Sequence, residues 1–473
     1  MTQKTKIIAT LGPASESEKI LESLISAGTS VFRFNLKHNN LEWHTNLARR
    51  LKAIAKKLNK NIALLADLQG PELRIGILPN NVDKIVLSEG QEVVLSEKEE
   101  TQTTWIPFPS ISSVKNLSTG HSIFIDDGKV ELEVVSIKPG KIITVVKQGG
   151  GLGSQKSVSI PQATIDIPTL MPKDKEDIKF AIKEDFEFIA LSFVRDGTDI
   201  ATLRSFIKKY GGNQAIIAKI ETLKSIENMD EIVKESDGIM VARGDLGVEV
   251  PIEKVPRIQK ELILASRTHF KPVIVATQML LSMVNNPTPS RAEVADIANS
   301  VFDKTDALML SEETAMGLHP VKAVNTMSKI ARYNEMHEFV DDLILKPTSF
   351  EEIVISASIK FSRQTPDGEE NIKGYIIFTE SGKSARVLSR FRPPLPIYAF
   401  SSHPSVIRKL ALSYGVVANH MTLHKNPVNN IKQALKILQK NKSINKGDKL
   451  ISIFGNNVGV PEANNTISIV SAT

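Results

Sequence analysis

The run "DGIMVARGDLGVEV", residues 237–250, starts as a buried strand and then places Arg243 and Asp245 about a glycine, with no turn dipeptide to carry them into solvent. One such charged end is an ordinary solvated loop, but here the pattern recurs. Other apolar runs end in Arg33 and Asn35, Asp67, Ser192 and Arg195, Lys219 and Glu221, Thr277, and Ser311 and Glu313. The mixture sets the chemistry. Glu221 and Asp245 are hard oxygen ligands suited to Mg²⁺ or Mn²⁺, and no His or Cys stands among them to suggest zinc. Arg33, Lys219 and Arg74 offer positive charge to a phosphate. Gly244 removes a side chain, so that backbone N–H groups could approach a carboxylate. A phosphate and a carboxylate with a divalent metal between them suit phosphoryl transfer or enolate chemistry.

Such ends converge only if the elements behind them do. "KIIATLG", "SVFRFN", "IALLADL", "FIALSF", "AIIAKIE", "GIMVAR", "PVIVATQ" and "ALMLS" are apolar without alternation, and most adjoin helical patterns such as "SEKILESLISAG". That is the signature of parallel strands covered on both faces, and eight of them predict a (β/α)8 TIM barrel, whose strand C-termini share one face. Between Gln69 and Pro168 the pattern changes to short alternating strands, an inserted all-β lid over the mouth. From about Phe350 a small open α/β unit follows. The expected division is 1–69 with 168–345 for the barrel, 70–167 for the lid and 346–473 for the C-terminal regulatory domain. "QGGGLGSQKS" reads as the lid hinge rather than a phosphate loop, since Gln155 precedes the lysine and strand-like sequence flanks it.

At 473 residues the chain is too long for a single ordinary core. No apolar run reaches the length of a membrane span and the first residues do not read as a signal peptide. With no cysteine there is no disulfide and no thiolate zinc site. A cytoplasmic, soluble protein is expected, without a membrane role. Net charge is +6, but its basic residues are scattered among 53 acids and aromatics are 5%, which disfavours nucleic acid as a partner and leaves small anions open.

"KIIATLGPAS", "VFRFNLKH", "ADLQGPELR", "IDDGKVEL", "AKIET", "MVARGDLGVEV", "PVIVATQML", "PTPSRAEVADIANSV" and "ALMLSEETAMG" together resemble pyruvate kinase of the bacterial type, in the family's order of barrel, lid and C-terminal domain. The resemblance implies transfer of a phosphoryl group from phosphoenolpyruvate to ADP, giving pyruvate and ATP. It implies that Arg33 and Lys219 hold the phosphoryl group, that Glu221 and Asp245 ligate Mg²⁺ or Mn²⁺, and that the backbone of Ala242, Arg243, Gly244 and Asp245 takes the substrate carboxylate. Thr277 falls near the carbon to be protonated, while Asn35, His38 and Arg74 face the nucleotide. The chain departs from the family at Leu281, Glu312 and Met316, none a metal ligand, so an inactive regulatory protein is disfavoured. So is a cell-adhesion role for Arg243-Gly244-Asp245, which needs a secreted protein. A homotetramer is implied.

Two further expectations follow. "TESGKSA", 379–385, joins an apolar strand to a helix beginning near Ser384, and Thr379, Ser381, Gly382, Lys383 and Ser384 make an anion cradle for a phosphorylated sugar or AMP as allosteric effector. Glu380 disfavours a second phosphate. The family commonly has serine at Lys37, where with the counterparts of Asn35 and Asp67 it helps ligate potassium. Lys37 is expected to reach Asp67 and take the ion's place, since opposite charges about 4 Å apart attract by roughly 4 kcal/mol at a dielectric of 20. Potassium-independent members usually carry lysine at Glu72; this chain keeps Glu72, so the compensation is expected to come from Lys37 on the opposite side of the same pocket, and K⁺ is not expected to be required.

Overall fold

The computed structural model describes residues 3–79, 82–100, 104–337, 345–364, 372–455 and 464–472. Eight parallel strands close into a barrel in sequence order: β1 (Lys6–Thr10), β2 (Thr29–Asn35), β3 (Ala63–Asp67), β4 (Phe188–Leu191), β5 (Ala215–Ile220), β6 (Gly238–Ala242), β7 (Val273–Ala276) and β8 (Ala307–Leu310), with β8 pairing back onto β1. They are the eight apolar runs of the sequence. Alternate residues do point to opposite faces, but both faces are dry. Ile8, Val31, Leu65, Ile217 and Met309 fill the lumen, while Ile7, Phe32, Leu64, Ile216 and Leu308 meet the outer helices. Outward and inward positions are both apolar, so no period of two survives in the sequence.

The helices are started by local chemistry. Asn40 Oδ1 accepts the Trp43 N–H at 2.9 Å to open Leu41–Lys57. Ser290 and Glu293 cap Arg291–Phe302 reciprocally, Glu293 Oε2 accepting the Ser290 N–H at 2.7 Å and Ser290 Oγ the Glu293 N–H at 3.3 Å.

The lid lies between β3 and β4. Its spine is the antiparallel hairpin Val130–Lys138 with Lys141–Gln148, around a core of its own that includes Leu95, Ile106, Ile123 and Leu132. "QGGGLGSQKS" is not a hinge. Gly150–Gly153 pairs with Lys84–Leu87, and Ser157–Ser159 pairs with both Leu73–Arg74 and Ser122–Ile125. The glycines serve close approach instead: a Cβ on Gly149 would sit 2.3 Å from the Leu87 carbonyl oxygen.

The C-terminal unit opens with the helix Phe350–Gln364 and forms a sheet of β9 (Ile372–Phe378), β10 (Ile397–Ser401), β11 (Val416–His420), β12 (Lys449–Phe454) and β13 (Thr466–Ser471), in the order β11-β10-β9-β12-β13 with only β13 antiparallel. It docks on the floor of the barrel, opposite the strand C-termini. Ala411 and Leu412 complete the lumen core from below. Arg392 grips Asp306 through two bonds of 3.1 and 2.7 Å, both side chains buried, and Arg408 pairs with Asp185 and Glu187.

Candidate active site

β5 delivers Lys219 into the mouth of the barrel. Its ammonium lies 2.8 Å from Glu221 Oε1, 2.7 Å from Ser192 Oγ and 3.5 Å from Asp67 Oδ1. Burial works against its charge, but Asp67, Glu221 and Asp245 outweigh it and hold the ammonium above the ordinary lysine range. β2 brings Arg33 to the same carboxylate, Nε donating to Asp67 Oδ2 at 2.6 Å and Nη1 to Thr10 Oγ1 at 3.1 Å. Asp67 is thus ionised between two cations, whose charges carry its pKa below the ordinary value against the opposing effect of burial. Its buried Oδ1 still has no hydrogen bond.

Glu221 and Asp245 face each other across this group. Burial, with the charge of Asp245 added, pushes the Glu221 carboxyl up to about 7 despite Lys219. Burial also raises Asp245, opposed by Lys219 and reinforced by Asp127 and Glu72, and Asp245 hydrogen-bonds Glu221. Two buried carboxyls, both with a raised pKa, are what a divalent cation relieves, and hard oxygens select Mg²⁺ or Mn²⁺. Among the described residues no cluster of three or more His, Asp or Glu stands ready for a metal.

The end of β7 is bent to meet the end of β6. Thr277 and Gln278 have φ of 70° and 56°, uncommon for non-glycine residues and costly for a β-branched one. The turn lets Thr277 Oγ1 accept the Gly244 N–H at 2.9 Å, so one of the amides expected to be free for a carboxylate already has a partner. A Cβ on Gly244 would make only ordinary contacts, the nearest 3.7 Å from Thr277 Oγ1. The Arg243 side chain braces this turn: it donates to the Ala276 and Thr277 carbonyls at 3.2 and 2.7 Å and pairs with Asp296 at 2.7 Å.

Two members of the expected ring do other work. Arg195 binds Asp199 and the Ile165 and Ile167 carbonyls, tying down the chain as it returns from the lid. Glu313 accepts the Leu280 and Ser311 amides at 3.0 and 2.7 Å and is a local brace.

On the lid side, Lys37 does not reach Asp67. Its ammonium lies 2.8 Å from Glu72 Oε2, and Arg74 Nη2 meets both Glu72 oxygens at 2.8 Å. Asp67 is already held by Arg33 and Lys219, whereas Glu72, entering the lid, needed a partner. Asn35 Oδ1 accepts the Lys37 N–H at 3.2 Å. His38 is kept below the ordinary histidine range, first by burial and then by Lys37, Arg33 and Arg74, which marks a local excess of positive charge.

Sequence reasoning missed Asp127, Glu249 and Ser159. Asp127 stands at the lid tip, on a turn where Asp126, Asp127 and Gly128 all have positive φ and a Cβ on Gly128 would lie 3.6 Å from Val248. Glu249 accepts Ser159 Oγ–H from the lid and the Leu223 N–H at 3.1 Å from the barrel. "DDG" is a turn signal that could have flagged the first; nothing local flags the other two.

In the C-terminal unit the helix after β9 runs Lys383–Arg390, one residue earlier than expected. Gly382 has φ 82° and its N–H goes to Thr379 Oγ1 at 2.9 Å. Lys383 N–H points to Ser381 Oγ at 3.4 Å, Ser384 Oγ donates to Glu351, and Glu380 is held by His403 at 2.8 Å.

Two family models match, "Pyruvate kinase, barrel domain" over residues 2–324 and "Pyruvate kinase, alpha/beta domain" over 367–470. The chain belongs to the pyruvate kinase family. Curated pyruvate kinases similar to it include that of Thermococcus litoralis, 38% identical with 99% of this chain and 98% of the relative covered, and that of Clostridium acetobutylicum, 40% identical over 88% of each. The crystal structure of a pyruvate kinase from Cryptosporidium parvum superposes with a TM-score of 0.91 at 32% identity, covering 100% of this chain and 96% of that one. As a pyruvate kinase the chain is a phosphotransferase. Pyruvate kinases bind phosphoenolpyruvate and ADP, and the family generally needs Mg²⁺. Among the described residues no helix is long and apolar enough to cross a membrane.

Proposed function

We propose that this pyruvate kinase works in the cytoplasm at the last step of glycolysis, with the strand-end group as its reacting centre. The observation that carries this is the Lys219 ammonium, kept charged beside Asp67, Glu221 and Ser192. Lys219 and Arg33 hold and neutralise the phosphoryl group as it leaves phosphoenolpyruvate, preorganised by their carboxylate partners so that no reorientation is needed during transfer. Glu221 and Asp245 hold Mg²⁺ or Mn²⁺, which supplies Lewis-acid charge for the substrate's phosphate and carboxylate. The backbone from Ala242 to Asp245 receives the carboxylate, Thr277 stands by the carbon that gains a proton, and Asn35, His38 and Arg74 serve the nucleotide. Coupled turnover of phosphoenolpyruvate with and without ADP and Mg²⁺, in the parent and in Lys219→Met, tests the assignment; undiminished turnover in the variant overturns it.

The finer reading is that K⁺ is not required. Lys37 places an ammonium on Glu72, the position where potassium-independent members carry lysine, and so supplies one added positive charge to the same pocket from a different residue. We also infer an allosteric site for a phosphorylated sugar or AMP at Thr379, Ser381, Gly382, Lys383 and Ser384, supported by the left-handed Gly382 at a helix start. A homotetramer is supported by the exposed Met316, Leu318 and Phe350, apolar side chains that a second copy could cover. The division into 1–69 with 168–345, 70–167 and 346–473 is supported by a core confined to the lid and by two cores within the C-terminal sheet and its helices, although the barrel's lumen core also takes Ala411 and Leu412. Saturation curves with a panel of sugar phosphates and AMP, and the mass in solution, test these readings.

A further inference from the structure

The lid is joined to the barrel by two connections, and one buried side chain holds them together. Asp174, wholly out of solvent, lies in the first turn of the helix Pro172–Lys183 that follows the lid. Its Oδ2 accepts the Met171 N–H at 2.9 Å, where the chain returns to the barrel, and its Oδ1 accepts the Gly70 N–H at 3.2 Å, where the chain left it. An acid in the first turn that accepts the amide just before the helix is half of a capping box, which accounts for the Met171 bond alone. The Gly70 bond spans 104 residues of chain and the whole inserted domain.

The outgoing connection rests on the strand-end group. Ser192 Oγ donates to the Leu68 carbonyl at 2.8 Å and accepts from the Lys219 ammonium at 2.7 Å. Gly70, with φ 71°, lies so close to Ser192 that a Cβ on it would sit 2.9 Å from the Ser192 Cβ. From the same helical turn Lys173 donates to the Leu36 carbonyl at 2.7 Å, one residue before Lys37. Burial pushes the Asp174 carboxyl above its ordinary range, opposed by the Met171 and Gly70 amides, by Lys173 and by the Gln69 amide. A carboxylate turns an acceptor to each connection, whereas an asparagine would turn one oxygen to one of them and donor hydrogens to the other.

We propose that Asp174 is a positioning residue for phosphoryl transfer: one carboxylate fixes the two lid connections to each other and keeps the outgoing one seated on Ser192, so that Ser192 meets the Lys219 ammonium, and the lid meets the mouth, in a single register. The inference rests on the strand-end group being the reacting centre. Asp174 itself makes no contact with Lys219; its effect passes through Gly70 and Ser192.

Asp174→Asn keeps the volume of the side chain and leaves one of the two amides without an acceptor. Its kcat should fall about tenfold, with the KM for phosphoenolpyruvate within about twofold of the parent's, since Arg33 and Lys219 remain on the barrel to hold the substrate. Because the effect passes through Ser192, Asp174→Asn combined with Ser192→Ala should be no slower than the slower single variant. A lower Tm with unchanged kcat, or kcat losses that multiply in the double variant, would reduce Asp174 to a helix cap and overturn the proposal. Where the variant is too unstable to assay, the parent decides. Held by one carboxylate, the Gly70 and Met171 amides should change their hydrogen-exchange protection by the same factor when phosphoenolpyruvate and Mg²⁺ bind; independent changes overturn the inference. Undiminished turnover in Lys219→Met would instead remove the reacting centre on which it rests, a failure that the exchange measurement tells apart.

Discussion

Lys37 and Glu72 form an ion pair of 2.8 Å, and the same Glu72 carboxylate receives Arg74 at 2.8 Å, so one acid joins the end of β2 to the first strand of the lid. A lysine that could have stretched toward Asp67 is instead used where an acid would otherwise face a single arginine.

Lys37→Ser leaves Glu72 with Arg74 alone and restores a hydroxyl. The parent should keep its rate in potassium-free buffer to within a few-fold of that in KCl, whereas the variant should gain about tenfold or more from K⁺ over a matched inert cation. A parent activated tenfold by K⁺ refutes the charge substitution.

Lys219→Met should lower kcat by about a hundredfold or more, the usual consequence of deleting a preorganised cation from a dry site. It also strips Asp67 and Glu221 of a buried partner. Its Tm without divalent metal should therefore fall below the parent's, and Mg²⁺ should recover part of the difference. A Tm indifferent to Mg²⁺ would remove Glu221 and Asp245 as metal ligands.

Ser159→Ala cuts the lid's bond to Glu249 and leaves the Leu223 amide bound. One lost hydrogen bond of about 1 kcal/mol predicts a several-fold fall in kcat/KM, with faster amide exchange over Ser157–Ser159 and little change in Tm. Unchanged exchange there would show that Glu249 does not secure the lid.

Lys6 tests the seam between the barrel floor and the C-terminal unit by pH. Its ammonium donates to the Val416 carbonyl at 2.7 Å, and burial lowers its pKa to about 8, against the pull of Glu335 and Asp306. Below pH 8 the folded state carries a costly buried charge. Between about 8 and 10.5 the folded protein has lost that proton and the unfolded chain has not, so stability attributable to this group rises with pH. Relative to Lys6→Met, the parent's urea midpoint should improve across that window; a flat difference rejects the assignment.

The barrel was legible because eight apolar runs of strand length, each adjoining a helix, leave few other ways to bury both faces, and the carboxylates at their ends marked the mouth. What could not be read was which partner a long side chain takes. Lys37 had the reach for Asp67, and only the folded positions of Arg33 and Lys219 show that acid already held. Glu249 and Ser159 are far apart in sequence and each is unremarkable locally. The glycines at 149–153 were read as freedom of the backbone, when what they supply is room for Leu87 and Lys84.

Leu412 has consequences for how this chain can be taken apart. With Ala411 it closes the lumen beneath Ile8 and Val31, so the catalytic barrel borrows its last layer from a segment a hundred residues past β8. A shortened chain ending near 345 would expose that lumen to water, and a chimera carrying a foreign C-terminal unit must bring a plug of matching shape. The C-terminal unit is not a detachable module, and any graft that ignores Leu412 should be judged first by whether the barrel still folds.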